Sequence, residues 1–142
     1  MNEYSNETAN KVDEQMEKWI NEFKEDELYF KLSRDAKRNV NFVLEVLGAK
    51  IYDYDLETPE EWSCSGISSA LTYYFPCKVC MSMTAFKTVK FILKAFLTFI
   101  GNKGYIKNSE ELIETVIECI PRMLEKAVDP SCWGMAKSFM YR

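Results

Sequence analysis

Apolar residues in this chain recur at helical spacing almost from end to end, and the gaps between the runs predict where helices start and stop. Val12, Met16, Trp19, Ile20 and Phe23 fall on one face of a first helix expected over about Glu7 to Phe30, with the opposite face charged. Ser33 reads as the cap of a second helix that turns Ala36, Val40, Val43, Leu44 and Leu47 inward, with Gly48 as its left-handed stop. From Ala49 to Glu57 bulky and acidic residues alternate without a helical period, which reads as an extended connector. Thr58-Pro59-Glu60-Glu61 has the makings of a capping box, and predicts a third helix through Trp62, Ile67, Leu71 and Tyr74 that ends before Pro76.

The stretch from Ser82 to Gly101 differs from these. Phe86, Val89, Leu93, Phe96 and Ile100 line one face, while Phe91, Ile92, Ala95, Leu97 and Phe99 cover much of the rest. A helix apolar nearly all round is a buried one, so this segment is expected to be the centre of the fold. Its one polar seam is Lys87, Lys90, Lys94 and Thr98, which keeps to one side of a 3.6-residue period. Gly101 to Gly104 then reads as a turn. Asn108 and Glu111 are placed to cap a helix through Leu112, Val116, Ile120 and Leu124, which Pro121 should kink or split. Asp129-Pro130 opens a last short helix running to the C-terminus. The sum is an all-α, single-domain bundle over residues 1–142, about six helices around a buried central helix at about 82–101.

Composition agrees with that class. The 142 residues are 47% hydrophobic and 28% charged with only five Gly and four Pro, too few turn residues for a β-sandwich and too apolar for disorder. The polar, acidic N-terminus lacks the basic and apolar regions of a secretory signal. The Ser82–Gly101 stretch fails as a membrane span because its three lysines would sit at mid-bilayer depth. Five cysteines, an odd number without an export signal, point to reduced thiols, and the expected location is the cytoplasm.

Charge changes the picture more. The net charge of −4 conceals a segregation: residues 1–61 carry 16 acidic and 8 basic side chains, residues 62–107 carry six lysines and no acid, and residues 108–142 carry six acidic and four basic. Either the parts attract one another within the fold or a basic edge faces an acidic partner. Lys87, Lys90 and Lys94 are therefore candidates for anion or nucleic-acid binding. The acidic total, the absence of arginine from residues 62–107 and the acidic first helix favour a solvated or internally paired edge instead.

The chain contains no histidine, which removes Ser-His-Asp and Cys-His nucleophile systems, histidine acid–base chemistry and every His-containing metal site. Phosphate-binding and dinucleotide glycine loops are also absent. Cys77-Lys-Val-Cys80 is the one motif with chemical associations. It reads as small thiols filling a helical core, as half of a zinc site completed from Cys64, Cys119 and Cys132, or as a redox pair without the βαβ unit such a pair normally needs. Asp53, Asp55 and Glu57 lack the glycine and terminal Glu of a calcium loop and read as solvated. Trp133, Phe139, Met140 and Tyr141 would form a dimer patch if the last helix does not dock fully.

Trp62-Ser63, Leu71, Phe75-Pro76-Cys77-Lys78-Val79, Phe96-Leu97-Thr98-Phe99-Ile100 and Gly104-Tyr105-Ile106 follow one another in order. Over about 45 residues this resembles a small helical module of uncharacterised bacterial and archaeal proteins, with a W-[ST] start, a P-x-K-V turn and an F-L-x-F-L-x-x-x-G end. Some longer relatives in that group carry an SEC-C-type cysteine-rich tail for zinc, which this sequence does not show. The Cys77 position is usually basic in that pattern, which speaks against a general role for the pair, and the resemblance implies no catalytic residues. The expectation is a non-enzymatic interaction or regulatory protein without a cofactor, acting through a protein partner or as a homodimer. Anion or nucleic-acid binding through the lysine edge, and zinc at Cys77 and Cys80, are the alternatives.

Overall fold

The structure, a computed structural model, describes residues 3–133. Every regular element among them is helical. Helix α1 (Asn6–Phe23) is followed by a one-turn α2 (Glu27–Phe30) and the long α3 (Arg34–Asp55). A 3-10 turn (Pro59–Glu61) leads into α4 (Cys64–Ser69), which runs on through a π-helical stretch (Ala70–Tyr74) into α5 (Phe75–Lys78). Helix α6 (Met83–Asn102), helix α7 (Ser109–Ala127) and a 3-10 turn (Pro130–Cys132) complete the described chain. The result is an all-α bundle.

Helix α6 is its centre. Ten of its residues are buried, against eight in α3, six in α7 and five in α1. It packs chiefly against α7 and α3, with smaller contacts to α1 and α2. Ser82 starts it, its hydroxyl accepting the Ala85 N–H at 3.1 Å. Phe23, Phe96 and Phe99 meet with ring centroids 5.5 Å from the Phe23 ring in both cases, so α1 is held to α6 through aromatic contacts. Phe91 departs from the expected all-round burial: it is 56% exposed, on the same side as the lysines.

Several expected boundaries move, each for a local reason. The first helix ends at Phe23, because the Asp26 carboxylate accepts the Leu28 N–H at 2.9 Å and starts a new turn. Gly48 does not stop the second helix. Ile51 and Tyr52 extend the buried face of Val40, Leu44 and Leu47, so α3 continues for seven residues past Gly48, and the expected connector is its last two turns. Gly48 is needed for another reason: a Cβ there would lie 2.7 Å from Met16 Cγ, so α1 and α3 pack closer than a side chain would permit. The real stop is Leu56, left-handed at φ 58°, a conformation that costs a branched residue about 1–2 kcal/mol. That turn delivers the Glu57 carboxylate to Ser63, whose N–H and hydroxyl it accepts at 2.9 and 2.6 Å.

Thr58 caps no long helix. Its hydroxyl bonds the Glu61 carboxylate at 2.8 Å, and the chain then leaves helical geometry so that Trp62, 1% exposed, can enter the core. The helix begins instead at Ser63, whose hydroxyl accepts the Gly66 N–H at 3.0 Å. Asn108 likewise makes no side-chain cap bond; its amide donates to the Trp62 carbonyl at 2.9 Å and ties the start of α7 to that buried indole.

Neither proline breaks its helix. Pro76 lies within the helical run from α4 into α5, and the π-helical stretch before it shifts the hydrogen-bond register there. The carbonyl four residues earlier, on Thr72, accepts the Lys126 ammonium of α7 at 2.9 Å. Pro121 lies inside a continuous α7, on an exposed face that it shares with Ile117.

Candidate interaction surfaces

The outward edge of α6 is cationic and aromatic at once. Lys87 and Lys94 are exposed, and Lys90 is half-buried with its ammonium 5.8 Å from the Phe91 ring centroid. Among the described residues none of these lysines forms an ion pair. The ion pairs that do form, Lys11–Glu7, Lys31–Glu27 and Arg38–Asp35, join exposed neighbours on single helices. The acidic first helix therefore does not neutralise this edge. Lys78 and Lys103, which flank it in sequence, are engaged elsewhere: Lys78 over the rings of Tyr54 and Tyr73, Lys103 over Phe99.

A second surface lies along the seam of α1 and α3. These helices run antiparallel: Ser5 donates to the Tyr52 hydroxyl at one end, while Met16 lies against Gly48 further along. Two depressions of about 470 and 400 Å³ share Asp13 and Ala49 as lining residues and so form one furrow. Val12, Met16, Val46 and Ala49 give it an apolar floor. Asp13, Glu17, Glu45 and Asp53 stand along it, all exposed, and no lysine or arginine lines either depression. Each carboxylate directly follows a buried or half-buried core residue, about 100° further round its helix, and so stands on the flank of the packed face. The sequence signal was present in that spacing. Ending the second helix at Gly48 hid it, since Asp53 then belonged to a connector.

The π-helical stretch assembles a third cluster that the sequence did not join. Tyr54 stacks on Tyr74 at 4.3 Å, Tyr73 meets Tyr74 edge-on at 5.6 Å, and the Lys50 and Lys78 ammoniums lie 5.9 and 5.7 Å from the Tyr54 ring centroid. The Tyr74 hydroxyl is 3.4 Å from the Asp55 carboxylate. Burial, and then the nearby Glu57 charge, push the Asp55 carboxyl up from its ordinary value of 3.8. Burial, and then Asp55, raise the Tyr74 phenol.

That shift has a sign. In the window above 3.8 the folded chain holds a proton on Asp55 that the unfolded chain has released, so stability falls as pH rises through it. Asp55→Asn should remove this decline, making the variant the more stable at pH 7 and the two chains equal below the ordinary carboxyl value. Denaturant midpoints across pH 3 to 7 check this, and parallel curves would refute it.

The cysteines do not converge. Cys77 is buried and Cys80 exposed, Cys64 and Cys119 are on separate helices, and no disulfide is formed. Cys132 donates to the Lys126 and Asp129 carbonyls at 3.1 and 3.3 Å. Among the described residues no group of three or more Cys, Asp or Glu is arranged to hold a metal ion. The carboxylates of residues 53–61 are dispersed: Glu57 serves Ser63, Glu60 accepts from Gln15 at 2.6 Å, and Glu61 takes the Thr58 hydroxyl. Trp133 is half-buried, while Phe139, Met140 and Tyr141 lie outside the described residues. No described helix is long and apolar enough to cross a membrane. The chain matches no protein-family model, no curated protein and no solved structure.

Proposed function

We propose that this chain is a helical interaction module, a soluble cytoplasmic protein that docks a protein partner or another copy of itself and carries out no chemistry of its own. The observation that carries the reading is the α6 edge. Three lysines surround a phenylalanine that is 56% exposed, on the helix that otherwise forms the core, with no described acid paired to them. An exposed aromatic ring set among unpaired cations fits an acidic surface with an apolar recess. The lack of histidine supports a role without histidine-based chemistry. Cysteines without disulfides fit a reducing compartment.

The same unpaired lysines favour one second reading, binding of nucleic acid through phosphate. A helical peptide with glutamate and leucine on one face, and a single-stranded RNA of equal charge, separate the two. The peptide should bind at low salt with a Kd in the micromolar range. A variant with Lys87, Lys90 and Lys94 changed to Gln and Phe91 to Ser should lose that binding while keeping its helical circular dichroism. Unchanged peptide binding by the variant would overturn the docking reading. Tighter binding of RNA than of peptide, lost in the variant, would transfer the edge to nucleic acid.

A further inference from the structure

The α6 edge and the α1/α3 furrow belong to one chain and have opposite character. We propose that they fit each other between copies: the Lys87/Lys90/Lys94 edge of one molecule, with Phe91 at its middle, seats in the α1/α3 furrow of the next, giving head-to-tail self-association. The inference deepens the docking reading above and rests on it.

Charge complementarity is the first support. Asp13, Glu17, Glu45 and Asp53 line the furrow and no cation lines it, while the edge lies in a 46-residue segment without a single acid. Like charges gathered along one groove repel, and a docked row of ammoniums relieves that repulsion. Dimensions agree as well. Lys87 to Lys94 spans seven residues, about 10 Å at helical rise, and Glu45 to Asp53 spans eight, about 12 Å. The aromatic ring supplies the apolar half of the match. Phe91 is exposed on the edge, and the furrow has an apolar floor of Val12, Met16, Val46 and Ala49 beneath its acidic rim.

Each contact joins two different surfaces, so a molecule whose furrow is filled can still present its own edge to a further copy. One edge on one furrow is a small contact, which places it with weak, transient interfaces, and its exposed charges make it sensitive to salt.

Sedimentation velocity tests this with two variants, each with charge removed from one of the two surfaces. The edge variant carries Lys87→Gln, Lys90→Gln, Lys94→Gln and Phe91→Ser; the furrow variant carries Asp13→Asn, Glu17→Gln and Glu45→Gln. The parent chain should increase in average mass between about 10 and 500 µM at low salt, and at least fivefold less at about 300 mM salt. Each variant alone should remain monomeric with unchanged circular dichroism. An equimolar mixture should give a 1:1 pair and nothing larger, because it contains one intact edge and one intact furrow. A parent chain monomeric throughout would overturn the inference, as would variants that associate like the parent or a mixture that stays monomeric while the parent associates. If the parent is monomeric but its edge still binds the acidic peptide, self-docking alone falls. If the edge variant binds the peptide like the parent, the docking reading falls with it. Should either variant fail to fold, Lys94→Gln and Glu45→Gln singly must each weaken association, and no effect from either sinks the proposal.

Discussion

Phe96→Ala is expected to lower the free energy of unfolding by about 3–5 kcal/mol. Phe96 is fully buried at the middle of the most buried helix, with its ring perpendicular to Phe23 at 5.5 Å and 6.5 Å from Trp62. It therefore joins α1, α6 and the segment entering α4. Trp62 cannot easily close the resulting void, because the Asn108 amide holds its carbonyl. A domain of this size is typically stable by about 5–15 kcal/mol, so the loss is a large part of the total. Phe91→Ala is the internal control: the same substitution on the same helix at a site 56% exposed should change stability by no more than about 0.5 kcal/mol. Urea midpoints at unchanged slope measure both. A Phe96→Ala cost no greater than that of Phe91→Ala would mean that α6 is not the centre of the core.

Gly48→Leu should cost about 3 kcal/mol, although it replaces a poor helix former with a good one. The propensity gain of nearly 1 kcal/mol is outweighed because even a Cβ would come within 2.7 Å of Met16 Cγ and 3.2 Å of its Sδ, and Met16 is 1% exposed. The diagnostic is the double-mutant cycle. Met16→Ala alone opens a cavity, yet combined with Gly48→Leu it supplies the room the leucine needs, so the pair should be about 1–2 kcal/mol less destabilised than the two changes summed. Strict additivity would show that α1 and α3 do not meet at this point. Gly48→Ala should fall in between, with its gain in helix propensity set against a smaller clash.

These two sites also show how far the sequence could be read. The all-α class and the central place of α6 were legible because α6 repeats apolar residues around most of its circumference, a pattern only a surrounded helix can satisfy. The cap at Ser33 was legible because a serine ahead of an apolar run offers its hydroxyl to a nearby N–H wherever a helix begins. What misled was punctuation whose meaning depends on tertiary contact. Gly48 marks a helix end if its surroundings are open and a close crossing if another helix lies against it. Pro76 stops a helix unless the turn before it widens. Thr58 to Glu61 reads as a capping box until Trp62 must turn inward. The lysine edge was found from spacing alone, but its lack of ion pairs among the described residues needed the positions of the acidic helices. The furrow needed both α1 and the full length of α3. The Tyr54–Tyr73–Tyr74 cluster joins residues almost twenty positions apart and leaves no local trace.

The bond from Lys126 to the Thr72 carbonyl has a consequence for covalent chemistry. It makes the amines of this chain unequal as nucleophiles. Lys87 and Lys94 project into solvent, and acylating them alters charge and little else. The Lys126 ammonium is half-buried and committed to a carbonyl that Pro76 has no N–H to serve. Acylation there leaves one N–H on a larger group in place of three donors, at the junction where α7 is fastened to the widened turn. The same reagent is thus a label on the α6 edge and a wedge at Lys126.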